Sequence, residues 1–272
     1  MLNCRGLKLP LGPRTLLMGI LNVTPDSFYD GGRFVDVSQA LTHARAMVAA
    51  GASIIDLGGE STRPNAHPID TEEELRRILP VLKSLLRQID IPISVDTYKP
   101  AVAQEALALG AHMINDIHGL RQHPDMASTI ARNHSAVIIT HNCRNASPTD
   151  NIVTQVIASL RESLTIAKDA GIANEAIVLD PGIGFGKTVE QNLTLVARLS
   201  EITALGFPVL LGASRKSFIS HSLNLPNEEC LEGTLATTAL AVEQGVHILR
   251  IHDIIANRRT ALLTEAILRF RT

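Results

Sequence analysis

Tryptophan is absent from this chain of 272 residues, and tyrosine and phenylalanine contribute only 2 and 6. With aromatics at 3% and hydrophobic residues at 45%, Val, Ile, Leu and Ala have to fill the interior. Such a core suits buried parallel strands better than an aromatic-anchored sandwich. Neither sign of charge dominates: 25 Lys and Arg oppose 27 Asp and Glu, for a formal net charge of −2. The basic residues are spread along the chain, so no patch that would draw nucleic acid is expected. Cysteine is scarce too. Cys4, Cys143 and Cys230 lie far apart without metal-ligand spacing and read as thiols of a reducing compartment. No stretch reaches the roughly 20 apolar residues of a membrane span, and the first 13 residues lack the apolar run of a secretory signal. A soluble, cytoplasmic protein with no nucleic-acid or membrane partner is the expectation. No linker or low-complexity run divides the chain, so residues 1–272 are expected to form a single domain.

What is present is alternation. Short apolar runs rich in β-branched residues fall at 16–21, 53–57, 91–95, 112–115, 136–140, 176–179, 208–211 and 247–251. Stretches with apolar residues at helical spacing fall at 38–50, 71–88, 100–109, 125–133, 152–170, 189–205, 230–244 and 254–270. Thr71 and Glu74 have capping-box spacing, and Pro100 suits a first helical position. Gly51, Gly110, Gly171, Gly206 and Gly245 stand where helices stop. Eight βα units with right-handed crossovers and strands apolar on both faces predict the α/β class and a single (β/α)8 TIM barrel. An open doubly wound sheet is the competing topology.

In such a barrel, chemistry gathers at the C-terminal strand ends. Here those positions are Asn22, Glu60 to Arg63, Asp96, Asn115 with Asp116, His141 with Asn142, Asp180, Ser214 to Lys216, and Arg250 with His252. Any single polar strand end can simply meet water. Seven or eight of them on one rim are harder to explain that way. Asp96, Asn115 and Asp180 are acceptors suited to a flat heterocycle with several N–H donors, such as a cyclic guanidine edge. Arg63, Lys216, Arg250 and His252 are donors suited to the oxygens of phosphate or pyrophosphate.

Several segments then carry a resemblance. They are Met18-Gly-Ile-Leu-Asn-Val-Thr-Pro-Asp-Ser-Phe28 with Asp30-Gly-Gly, Asp56-Leu-Gly-Gly-Glu-Ser-Thr-Arg-Pro64, Ser94-Val-Asp-Thr97, Asn115-Asp116, Leu179-Asp-Pro-Gly-Ile-Gly-Phe-Gly-Lys187, Ser214-Arg-Lys216 and Arg250-Ile-His252. In order and in wording they resemble the signature segments of the dihydropteroate synthase family, pterin-binding TIM barrels, across nearly the whole chain. That family joins a dihydropterin methyl pyrophosphate to p-aminobenzoate and releases pyrophosphate.

The resemblance implies roles. Asp96, Asn115 and Asp180 would hold the pterin edges, with Lys216 at its carbonyl and ring nitrogen. Asn22, Asp30, Arg63, Arg250 and His252 would hold the pyrophosphate, and Mg²⁺ would bridge phosphate oxygens near Asn22. Thr62, Pro64, Phe185 and Ser217 would surround p-aminobenzoate. Asp96, Asp180, Lys216, Arg250 and His252 would carry the chemistry, by a dissociative path that needs no protein nucleophile. A homodimer is usual in the family, and sulfonamides would compete with p-aminobenzoate.

Some positions depart from the pattern or compete with it. Thr140 stands before His141 where many family members have Met. His141 either lines the pocket or caps its strand. Pro181-Gly-Ile-Gly-Phe-Gly-Lys-Thr188 misses the nucleotide P-loop only at Pro181, which has no N–H to give a phosphate. Glu72 to Glu74 with Arg76 and Arg77 read as a solvated helix face. A pterin-dependent methyltransferase is the nearest rival reading, and an inactive pterin-binding paralogue is the rival outside enzymes.

Overall fold

The apolar runs pair as parallel strands of one sheet. A computed structural model describes residues 1–12, 14–24, 29–30, 34–61, 67–144 and 151–271. The strands are β1 (Leu16–Asn22), β2 (Ile54–Gly58), β3 (Ile93–Asp96), β4 (Met113–Asp116), β5 (Ala136–Thr140), β6 (Ile177–Asp180), β7 (Leu210–Leu211) and β8 (Ile248–Ile251). Their spatial order is β6-β5-β4-β3-β2-β1-β8-β7. A parallel bridge between Leu179 and Val209 joins the two ends, with the Leu179 N–H donating to the Pro208 carbonyl at 2.8 Å. The sheet is therefore a closed barrel, and the open doubly wound alternative fails.

The helices are α1 (Val37–Ala50), α2 (Thr71–Gln88), α3 (Pro100–Leu109), α4 (Asp125–Arg132), α5 (Ile152–Asp169), α6 (Val189–Ala197), α7 (Leu199–Thr203), α8 (Ser217–Leu223), α9 (Leu231–Glu243) and α10 (Ile254–Leu268). The five glycines expected as helix stops all take positive φ. The expected helix over 189–205 breaks at Arg198, which leaves helical geometry at φ −122° and ψ 30°. Asp70, rather than Thr71, caps α2 by accepting from the Glu73 N–H at 2.8 Å. A full capping box occurs at Thr188 and Gln191 instead.

Ile54, Ile55 and Leu57 of β2 and Ile93 and Val95 of β3 are wholly buried. Each such side chain contributes about 1.5–3 kcal/mol by leaving water, so the strands are held by packing on both faces. An N-terminal hairpin, Leu2–Cys4 with Leu7–Leu9, was not anticipated. It buries Leu2 and Cys4, and Arg5 Nη1 donates to the carbonyls of Leu107 and Ala111 at 2.5 and 3.1 Å. The hairpin thus covers the end of the barrel opposite the polar strand ends. Among the described residues no helix is long and apolar enough to cross a membrane.

Candidate active site

Parallel register delivers the expected acceptors to one mouth. Asp96 closes β3 opposite Asn115 of β4, and Asp180 closes β6 opposite Thr140 of β5. Asp96, Asn115, Thr140, Asp180, Phe185, Lys216 and Arg250 line a single small cavity. Asn115 Oδ1 and Thr140 Oγ1 are buried with no hydrogen-bond partner among the described residues. Unpaired buried acceptors are costly, so atoms left this way beside a cavity are atoms prepared for a ligand.

Arg250 sits at the centre of the charges. Its Nε donates to Asp56 Oδ2 at 2.6 Å and its Nη2 to Asp96 Oδ2 at 2.7 Å. Asn115 Nδ2 donates to the same Asp56 oxygen at 3.1 Å. Burial opposes the Arg250 cation, but Asp56 and Asp96 raise its pKa above the ordinary guanidinium value. Burial pushes the Asp96 carboxyl up to about 7 against the pull of Arg250. Burial also raises Asp180, with Lys216 opposing the shift, and pulls the Lys216 ammonium down to about 8, with Asp180 opposing. The mouth therefore holds Asp96 and Lys216 close to neutral pH, where small changes in surroundings alter their charge.

The loops after β7 and β8 are stitched together. Ser214 Oγ accepts from the His252 backbone N–H at 3.3 Å and lies 3.0 Å from His252 Nδ1. Arg215 forks onto Asp253 at 3.0 and 2.7 Å. That leaves Lys216 as the member of the Ser-Arg-Lys segment that enters the cavity. Its Nζ donates to the Ile183 carbonyl and lies 4.7 Å from the centre of the Phe185 ring.

Of the expected residues, Asp96, Asn115, Asp180, Lys216, Arg250 and Phe185 converge on the cavity. Asn22 ends β1 half-buried, beside Gly58 of β2. His252 follows β8, exposed, and Ser217 is the exposed first residue of α8. Thr62, Arg63 and Pro64, and the side chain of Asp30, lie outside the described residues. His141 is buried at 3% exposure, and burial pulls its pKa down to about 3, so it is a neutral internal side chain. Asp116 turns away from the cavity to accept from the backbone N–H groups of His118 and Leu120.

Sequence reasoning missed four things. Asp56 is wholly buried in β2 as a partner of Arg250; a carboxylate inside the apolar run Ile54-Ile55-Asp56-Leu57 was the available signal. Glu74 and Arg77 are not a solvated face but are 1% and 9% exposed. Glu74 pairs with Lys99, which also pairs with Glu60, and Arg77 donates to the Gly59 carbonyl. Arg144 stacks its guanidinium 5.1 Å from the Phe185 ring centre. Lys187, in the P-loop-like segment, is turned toward backbone carbonyls.

A TIM barrel whose C-terminal mouth joins ring-type acceptors to cations defines a small-molecule enzyme that handles an anionic, nitrogen-rich substrate. The family model described as "Pterin binding enzyme" matches residues 18–252. The dihydropteroate synthase of Clostridium beijerinckii is 47% identical over 260 residues, 95% of this chain and 96% of that protein. The crystal structure of the Clostridium difficile dihydropteroate synthase in the presence of pteroic acid superposes with a TM-score of 0.93 at 49% identity, covering 97% of this chain and 100% of that one. The Xanthomonas albilineans dihydropteroate synthase with 4-aminobenzoic acid gives 0.93 at 41%, covering 98% and 97%. The chain belongs to the pterin-binding enzymes and, within them, to the dihydropteroate synthases. It is accordingly a transferase of the alkyl- and aryl-transfer class.

Proposed function

We propose that this enzyme condenses 6-hydroxymethyl-7,8-dihydropterin pyrophosphate with p-aminobenzoate to give 7,8-dihydropteroate and pyrophosphate. The observation that carries the reading is the meeting of Asp96, Asn115 and Asp180 with Lys216 and Arg250 around one cavity. The pterin ring offers N–H donors to the two carboxylates and to Asn115 Oδ1, and Lys216 donates to its carbonyl and ring nitrogen. Thr140 Oγ1 faces the same ring as an additional partner.

The bond from the pterin methylene carbon to the pyrophosphate oxygen breaks, with its electron pair leaving on pyrophosphate. Buried carboxylates beside the ring stabilise the positive charge left on the conjugated methylene. The amine nitrogen of p-aminobenzoate then bonds to that carbon and loses a proton, so no protein nucleophile takes part. Arg250 Nη1, which no described residue engages, and His252 Nε2 hold the departing anion together with Asn22, Asp30 and Arg63. Phe185, Thr62, Pro64 and Ser217 surround the aromatic amine.

Asn22 would hold Mg²⁺ through its side-chain oxygen. A Cβ built on Gly58 would lie 3.2 Å from Asn22 Oδ1 and 4.0 Å from Asp96 Oδ2, so side-chain oxygens border the space beside Gly58. A single amide oxygen suits an ion that takes most of its ligands from phosphate and water. When bound there, Mg²⁺ supplies charge neutralisation on the leaving group. Exposed Leu240 of α9 with Ile255, Leu262, Leu263 and Ile267 of α10 supports a homodimer through these helices. The single domain acts in the cytoplasm, where the buried thiols Cys4, Cys143 and Cys230 stay reduced.

Pyrophosphate release, followed with Mg²⁺ present, is expected only when both organic substrates are supplied. Tight pterin binding without any release would assign the chain to the inactive pterin-binding paralogues instead.

A further inference from the structure

Lys187 is absorbed by none of the roles above. It occupies the lysine position of the P-loop-like segment, yet its Nζ points at backbone oxygens. It donates to the carbonyls of Gly182, His141 and Phe185 at 2.6, 3.2 and 3.4 Å. Among the described residues no carboxylate forms an ion pair with it. Lys187 is half-buried; burial pulls its ammonium down to about 8 although the nearby Asp180 opposes the shift, and a partly desolvated cation with no carboxylate in contact is costly to retain unless it holds something.

What it holds is the turn over 181–186. Gly182, Gly184 and Gly186 have φ of +71°, +81° and +74°, so the segment has little stiffness of its own. A Cβ on Gly182 would fall 1.8 Å from the His141 carbonyl oxygen, which shows how closely the turn lies on the end of β5. Asp180 Oδ1 accepts from the Gly182 N–H at 2.7 Å and Asn192 Oδ1 from the Gly184 N–H at 2.8 Å, which fixes the donors of the turn. The carbonyls of Gly182, His141 and Phe185 converge, and their dipoles would repel without a cation among them. The three N–H bonds of an ammonium match the three acceptors one for one.

We infer that Lys187 is a positioning residue for the aromatic amine: it fixes the turn that presents the Phe185 ring to the cavity, from behind and without touching either substrate. This rests on the reading of Phe185 as a wall of the p-aminobenzoate site. The pterin acceptors Asp96 and Asn115 are strand residues set by barrel register, whereas Asp180 and Lys216 hydrogen-bond to the turn only at the Gly182 N–H and the Ile183 carbonyl, so the pterin site depends on it less than Phe185 does.

Steady-state kinetics on the full-length enzyme separate the possibilities. Lys187→Met is expected to raise KM for p-aminobenzoate by roughly tenfold, the loss of about one good hydrogen bond's worth of placement. KM for the pterin pyrophosphate, two of whose ligands touch the turn, should rise clearly less than that, by roughly threefold at most, and kcat should stay within roughly threefold. Lys187→Arg, which keeps a cation, should recover most of the loss. Equal change in both KM values, a collapse of kcat, or a lowered Tm with both KM values unmoved would overturn the inference. Should Lys187→Met fail to fold, Lys187→Gln carries the same test with the same outcomes. Phe185→Ala separates the two levels: no change in p-aminobenzoate KM sinks the reading of Phe185 and the inference with it. A raised KM in Phe185→Ala but not in Lys187→Met overturns the role of Lys187 alone.

Discussion

Arg250 lies between Asp56 and Asp96, and Lys99 lies between Glu60 and Glu74, so two buried clusters share one charge pattern. Their surroundings differ. The Lys99 cluster is filled by the protein: Tyr98 Oη donates to Glu60 Oε1 at 2.9 Å and the Ile69 N–H to Glu60 Oε2 at 3.4 Å. It does not border the cavity, and Glu74 Oε1 is its one buried atom without a partner among the described residues. The Arg250 cluster leaves Asp56 Oδ1 and Asn115 Oδ1 unpaired among the described residues, and Asn115 lines the cavity together with Thr140, whose Oγ1 is unpaired as well. Paired charge therefore marks structure as readily as function. Unspent polar atoms against a cavity mark function.

The sharpest way to test this contrast is Lys216, a cation of the cavity that belongs to neither cluster. Among the described residues its Nζ donates only to the Ile183 carbonyl, so Lys216→Ala is expected to cost roughly 100-fold or more in turnover. Thermal melting should show little change, and comparable losses of Tm and activity would break the argument.

Next come Arg250→Ala and Lys99→Ala. Arg250 makes two ion pairs, so removing it strands two buried carboxylates. Both variants are expected to lose about 3 kcal/mol or more in denaturant unfolding. Only Arg250→Ala should also abolish turnover where the protein remains folded. An equal loss of turnover in folded Lys99→Ala would erase the difference between the clusters.

A smaller effect concerns pH. Because burial holds Asp96 near 7, the folded protein binds more protons than the unfolded chain between about 4 and that value. The stability contribution of Asp96 therefore falls as pH rises across this window, while the ionised acceptor needed for ring N–H groups grows. Pterin affinity, measured by calorimetry, is expected to weaken below pH 7 in the native enzyme. In Asp96→Asn it should be weaker throughout and lose that dependence. The smallest expected change is Thr140→Val, which removes one hydroxyl from the cavity and should weaken pterin binding by roughly two- to tenfold. An unchanged titration would show that Thr140 Oγ1 contributes nothing to the ring.

The barrel was legible because its strands are apolar on both faces and its helices stop at glycines. The bounds of α2 and α3 coincide with those read from periodicity. The N-terminal hairpin escaped because three-residue strands are too short to show alternation, although the turn at Arg5 and Gly6 carries φ of 54° and 95°. The break at Arg198 left no trace because the apolar spacing runs through it. In the site, Asp96, Asn115, Asp180, Lys216 and Arg250 could be found from their places after apolar runs. Asp56 was signalled only by standing as a carboxylate in an apolar run, and which face it serves becomes legible once Arg250 is seen beside it. Glu74 and Lys99 were hidden for a related reason: a helix face that looks solvated in sequence is buried by the neighbouring βα unit.

Crystals soaked with a pterin and pyrophosphate test the account most directly. The ring is expected on Asp96, Asn115, Asp180 and Lys216, with pyrophosphate against Asn22, Arg250 and His252. Density for the ring in the cleft at the opposite end of the barrel, lined by Leu11, Phe207 and His247, with the mouth left empty, would contradict it.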